Sequence, residues 1–162
     1  MIVMVMGVSG SGKTTVGKLL AESLNWDFSD ADDFHPPGNI EKMSRGIPLE
    51  DGDRLPWLLH LQGTIDRWLL ENKNVVLACS ALKASYRERL LRDKQRMKIV
   101  YLKGDFELFA ARLKTRENHY MKVDLLSSQF ASLEEPENAI IIDASQQLEL
   151  MVRQIKNDLI CA

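Results

Sequence analysis

Apolar residues fall in two rhythms along this chain. Five short, nearly continuous apolar runs lie at 2–6, 26–29, 75–79, 98–102 and 139–143. Runs of this length predict strands of a parallel sheet covered on both faces. Between them, apolar positions recur at three- and four-residue steps, the period of a helix with one buried stripe. Val16, Leu19, Leu20 and Leu24 share one such face, and Trp57, Leu58, Leu61, Ile65, Trp68 and Leu69 a second, with Pro56 at its first turn. Tyr86, Leu90 and Leu91 mark a third helix. Asp105 is a candidate N-cap for a fourth carrying Leu108, Phe109 and Leu113. Leu148, Met151, Val152, Ile155 and Leu159 mark the last. Strands alternating with helices predict an open α/β sheet with right-handed crossovers. The Trp and Leu residues on these faces are read as core rather than as ligand contacts. No repeat, low-complexity tract or linker interrupts the pattern, so 1–162 reads as one domain.

Directly after the first apolar run comes Gly7-Val8-Ser9-Gly10-Ser11-Gly12-Lys13-Thr14, and directly after that the first amphipathic segment. A Gly-x4-Gly-Lys-Thr motif between a strand and a helix predicts a phosphate-binding loop. Its glycines let the backbone approach a phosphate, and successive N–H groups, including those opening the helix at Thr14 and Thr15, form an anion nest. Lys13 reaches the β- and γ-phosphates of a nucleotide, and the Thr14 hydroxyl ligates Mg²⁺.

Composition narrows the partners. A formal charge of −2 leaves no basic surface for nucleic acid. Cys79 and Cys161 are the only cysteines, too few for a disulfide scaffold, and Cys79 lies in an apolar run as a buried reduced thiol. The opening apolar run leads straight into the loop, which suits a core strand and not an export signal. No run approaches the ~20 apolar residues of a membrane span, so a cytoplasmic protein is expected.

In an open α/β sheet, ligands bind beyond the carboxyl ends of the strands. After the second run come Asp30, Asp32 and Asp33, which repel one another unless a cation compensates. They suit Mg²⁺ support or activation of an attacking hydroxyl, against the alternative of a capped, solvated turn. His35 either donates to a substrate hydroxyl or fixes its loop. Arg54, just before Leu55-Pro56-Trp57, either pins an anionic substrate group or makes a surface ion pair. Lys83 and Arg87 stand four apart on a helix, so both can face one site with Tyr86, or form a solvated basic face. Arg112 and Arg116 open a charged stretch that returns as a helix over 123–133, in the position of a lid.

These blocks together resemble the small bacterial-type gluconokinases, relatives of shikimate kinase and the nucleoside monophosphate kinases. The resemblance runs through the phosphate loop; through Asp30-Ala31-Asp32-Asp33-Phe34-His35-Pro36 into Asp53-Arg54-Leu55-Pro56-Trp57; through Cys79-Ser80-Ala81-Leu82-Lys83 with Tyr86-Arg87; and through Tyr101-Leu102-Lys103-Gly104-Asp105 to Gln129-Phe130 and Leu133-Glu134-Glu135-Pro136. It implies a three-layer P-loop kinase sandwich with a five-stranded parallel sheet, an acceptor-binding region over about 35–58 and a helical lid over about 112–136. It implies transfer from ATP, with Mg²⁺, to the 6-hydroxyl of D-gluconate, and a homodimer. In that reading Lys13, Asp32 and Arg116 are catalytic, and Asp30 supports the metal with Thr14. His35, Arg54, Lys83 and Arg87 hold the sugar acid with Asp32, while residues 7–15 and Arg112 hold the nucleotide. The sequence departs from the family at Ala31, where Gly is usual, at Asn118-His119-Tyr120 in the lid, and at Gln147 before the last helix. The rival readings are a kinase for another acceptor, such as shikimate or a nucleoside monophosphate, and a nucleotide-binding switch without catalysis.

Overall fold

A computed structural model describes residues 1–115 and 123–161. Five parallel strands, β1 (Ile2–Met6), β2 (Asp27–Asp30), β3 (Val75–Ala78), β4 (Met97–Lys103) and β5 (Ile140–Asp143), form one sheet in the order β2-β3-β1-β4-β5. The registers are continuous: Val5 faces Ala78 on one side and Val100 on the other. The helices are α1 (Lys13–Leu24), α2 (Pro37–Ser44), α3 (Asp51–Leu70), α4 (Ala84–Leu90), α5 (Phe106–Lys114), α6 (Val123–Ser132) and α7 (Leu148–Cys161).

The side-chain period of two along a strand divides the core into two layers. Ile2, Met4 and Met6 of β1 point to one face and pack with Trp57, Leu61 and Ile65 of α3 and Leu90 of α4. Val3 and Val5 point to the other and pack with Val16 and Leu20 of α1, Phe109 of α5 and Met151 and Ile155 of α7. Burying β1 on both faces explains why its run shows no polar alternation. The expected three-layer α/β fold is therefore present. No helix among the described residues is long and apolar enough to cross a membrane.

Three local expectations are corrected. Trp26 does not open β2. Asn25 takes a left-handed conformation at the end of α1, and the Trp26 N–H donates back to Ala21 O at 2.9 Å, so Trp26 belongs to the helix exit. Pro56 does not sit in the first turn of α3, which begins at Asp51. A reciprocal box between Glu50 and Asp53 extends the helix by more than a turn, and Pro56 lies inside it. The expected acceptor-binding region over about 35–58, where no helix was marked before Pro56, contains α2, with Pro37 in its first turn.

Candidate active site

The phosphate loop joins β1 to α1. Gly12 has φ 97°, a left-handed conformation that reverses the chain into the helix, and no side chain caps the first turn of α1. The N–H groups of that turn are therefore offered to an external anion. Gly10, at φ +82°, has no room for a side chain, because a Cβ there would stand 2.9 Å from Phe109 O. Lys13 Nζ donates to Val8 O at 3.1 Å, folding the lysine over its own loop. Arg112 of α5 braces the outside of the loop, with Nη1 3.4 Å from Gly10 O and Nη2 donating to Ala144 O at 2.6 Å. It thereby ties the loop to the turn before α7.

A cavity of about 440 Å³ opens from this loop toward α2 and α3. Ser9, Gly10, Gly12, Lys13, Thr14 and Thr15 form its phosphate end, and Asp30, Asp32, His35, Arg54, Trp57 and Tyr86 form the facing wall. Gly7, Val8 and Ser11 belong to the loop without lining the cavity.

Asp30 caps the short 3₁₀ turn Ala31–Phe34 by accepting from Asp32 N at 3.0 Å, and its other oxygen accepts from Thr14 Oγ1, also at 3.0 Å. Burial first, and then the neighbouring Asp32 carboxylate, raise the Asp30 pKa above its ordinary value. A cation beside Asp30 would relieve both effects. The donor set therefore fits Mg²⁺ held by one hydroxyl, one carboxylate and the oxygens of a bound phosphate. No cluster of three acidic, histidine or cysteine ligands exists among the described residues, so the protein does not provide a complete metal cage by itself.

His35 is fixed from three sides. Its ring stacks on Trp57 with centroids 4.6 Å apart, and Trp57 Nε1 donates to Ala31 O at 2.7 Å. Asn39 Nδ2 donates to Asp53 O at 2.8 Å and lies 3.2 Å from His35 Nδ1. The carbonyl fixes the amide orientation, so Asn39 presents its second N–H to Nδ1 and the neutral ring carries its proton on Nε2. That nitrogen lies 3.9 Å from Asp32 Oδ1. Burial lowers the His35 pKa, opposed by Asp32 and assisted by Arg54. Of the two readings of His35, the structure shows the fixed loop, with the Nε2–H beside Asp32 at the cavity wall.

Arg54 lies over the Tyr86 ring and donates to Tyr86 Oη at 3.2 Å. Lys83 Nζ also sits over that ring and pairs with Asp51 Oδ1 at 2.9 Å, and Tyr86 Oη donates to the same oxygen. Lys83 is thus placed at the rim, beside Tyr86, while Arg54 and Tyr86 line the cavity.

Arg87 does not share a site with Lys83. It is only 6% exposed, with Nη1 donating to Ala81 O at 2.8 Å and Leu82 O at 3.1 Å and Nη2 to Glu134 O at 2.7 Å. Lys83 caps α4 with extended backbone, so the four-residue helical spacing that would align the two cations does not apply. Arg87 instead holds a turn in which Ala81 has φ 44°, costly for a residue with a Cβ. Arg116, and with it 116–122 of the expected lid, lies outside the described residues.

Several cavity residues, Ser80, Leu82 and Gln129 of the resemblance blocks among them, were given no role from the sequence. Ser80, Leu82, Met43 and Leu49 line it, as do Leu125, Ser128 and Gln129 of α6. Gln129 Oε1 accepts from Ser9 N at 2.6 Å. Asn39 could have been suspected only from its place four residues after His35.

Comparison with known proteins agrees with this geometry. A family model described as shikimate kinase matches residues 9–159. The thermosensitive gluconokinase of Escherichia coli is 41% identical, covering 97% of this chain and 90% of that protein. The gluconokinase of Gluconobacter oxydans is 48% identical over 82% of this chain and 74% of its own length. A crystal structure of a gluconokinase from Sinorhizobium meliloti is 42% identical, with a TM-score of 0.82 over 94% of this chain and 87% of that one. Shikimate kinase from Aquifex aeolicus, 24% identical with a TM-score of 0.60 over 98% and 96% of the two chains, shares the fold. The chain belongs to the gluconokinase family, within the wider shikimate kinase family whose pattern its phosphate loop and sheet carry.

Proposed function

We propose that this protein is an ATP-dependent gluconokinase that phosphorylates D-gluconate at its 6-hydroxyl, giving 6-phospho-D-gluconate and ADP. The observation that carries this reading is one cavity in which the phosphate loop faces Asp32, His35, Arg54 and Tyr86. The identity to gluconokinases over most of the chain supports the choice of acceptor.

Phosphoryl transfer asks a protein for position and charge more than for covalent chemistry. The loop amides and Lys13 hold the phosphates of ATP and balance the charge that spreads over the transferring group. Thr14 and Asp30 hold Mg²⁺, which when bound draws charge from the phosphoryl oxygens. Asp32 orients the acceptor hydroxyl and takes its proton. His35 donates its Nε2–H to a second hydroxyl of the sugar acid. Arg54 and Tyr86, with Lys83 at the rim, take the carboxylate, the end of the substrate remote from the chemistry. Arg87 serves by holding the turn that carries Ser80 and Leu82, and Arg112 by holding the nucleotide side. α5 and α6 cover the phosphate end, the part of the expected lid that falls within the described residues. A homodimer is put forward on the resemblance alone, and sedimentation equilibrium tests its association; a cytoplasmic location is the expectation drawn from the sequence.

The test is ADP formation with Mg·ATP and D-gluconate, shikimate, related sugar acids or no acceptor. Gluconate-dependent turnover is expected. Turnover with shikimate alone would keep the kinase chemistry and reject the acceptor. Tight ATP binding with no turnover on any acceptor would favour the nucleotide switch.

A further inference from the structure

Ser9 is the third residue of the phosphate loop and is almost wholly buried. A buried backbone N–H requires an acceptor. Here the acceptor comes from a residue 120 positions away, Gln129 Oε1, at 2.6 Å. Helix α6 holds that side chain over the loop because Leu125 and Leu126 anchor it in the core. A nest of loop amides is built to receive phosphate oxygens, so the carboxamide oxygen stands where a phosphoryl oxygen would accept. Gln129 and Ser9 also line the same cavity as Asp32 and His35. The covered amide therefore belongs to the same cavity as the residues proposed to take the acceptor.

We infer that Gln129 reads the γ-phosphoryl group: its Oε1 holds the Ser9 N–H in the nucleotide-free protein, and its Nε2–H donates to the γ-phosphoryl oxygen that takes over that N–H. A carboxamide can make this exchange because it carries an acceptor and two donors on one end. ADP, which lacks the group, gains nothing from the donor half. The inference rests on the nucleotide reading above and is independent of gluconate.

Isothermal titration without acceptor tests it, using ATP and ADP with the wild type, Gln129→Met and Gln129→Glu. Methionine keeps the length of the side chain and removes both hydrogen-bonding functions. Glutamate keeps the acceptor, loses the donor and adds repulsion toward the γ-phosphate. The ratio of ATP to ADP dissociation constants should rise at least threefold in Gln129→Met and further in Gln129→Glu. In the nucleotide-free protein, Ser9 amide exchange with deuterium should be faster in Gln129→Met. A ratio within threefold of wild type in Gln129→Met would overturn the inference, since a merely structural tie alters both nucleotides alike. Unchanged Ser9 exchange would overturn it as well. A wild type that binds neither nucleotide would remove the nucleotide reading, and this inference with it.

Discussion

Asp32 and His35 show how one pocket assigns different work to neighbouring side chains. The Asp32 backbone N–H is spent on Asp30, and its carboxylate faces the cavity beside a histidine whose proton is fixed on Nε2. Asp32→Asn should therefore lower kcat by about 10²–10⁴-fold, the usual worth of a positioned base. ATP affinity, measured by titration, should remain close to wild type. An equal loss of ATP affinity would place Asp32 at the metal instead. His35 predicts a pH effect on stability. Its folded pKa lies below the ordinary 6.5, because burial disfavours the imidazolium. The unfolded chain thus takes up the proton first, and stability falls as pH drops through 6.5 toward the folded value. Urea midpoints at about pH 7.5 and about pH 5.5 should differ more for wild type than for His35→Gln. Equal differences would mean that His35 contributes no proton linkage.

At the scale of elements, the sequence revealed positions better than connections. β1, β3 and β4 were legible because a strand buried on both faces has no choice but an apolar run; the edge strand β5 was legible from its three isoleucines although Ile141 is exposed. The start of α3 was not, because its first turns are polar and its apolar stripe begins only at Trp57. The Glu50–Asp53 box was the available signal, masked by a proline that normally opens a helix. Arg87 was misplaced because spacing along a helix says nothing once one partner is the cap. Its guanidinium joins the turn after β3 to the segment after α6 through three carbonyls. Arg87→Met should cost on the order of 3 kcal/mol, since each buried acceptor left unpaired costs about 1–3 kcal/mol before relaxation. A urea midpoint close to wild type would show that those carbonyls find other donors. Lysine should rescue little, because an ammonium cannot span carbonyls as the planar guanidinium does.

The whole molecule can be followed through its two thiols. Cys79 is fully buried at the end of β3, where burial pushes its pKa up to about 12, whereas Cys161 is exposed near the end of α7. A disulfide reagent at neutral pH should modify one thiol quickly and the second only when the core opens. Saturating Mg·ATP should slow the second phase further, since a ligand at about a hundredfold its Kd adds ~2.7 kcal/mol to the native state. A second phase as fast as the first would contradict the burial of Cys79.

The strand order β2-β3-β1-β4-β5 places β1 between two flanks of two strands each. The acidic and aromatic residues proposed to take the acceptor follow β2 and β3, while Arg112 and its Ala144 partner follow β4 and β5. The flanks are tied where Arg87, after β3, donates to Glu134 O, after α6, so a change on one side leaves the other in place only where that tie is kept. Grafting residues 31–57 together with 80–87 of this chain onto a shikimate kinase should carry acceptor preference with them and leave the nucleotide KM nearly unchanged. An arrangement of that kind would let a single scaffold take new acids through changes in the two stretches that follow neighbouring strands.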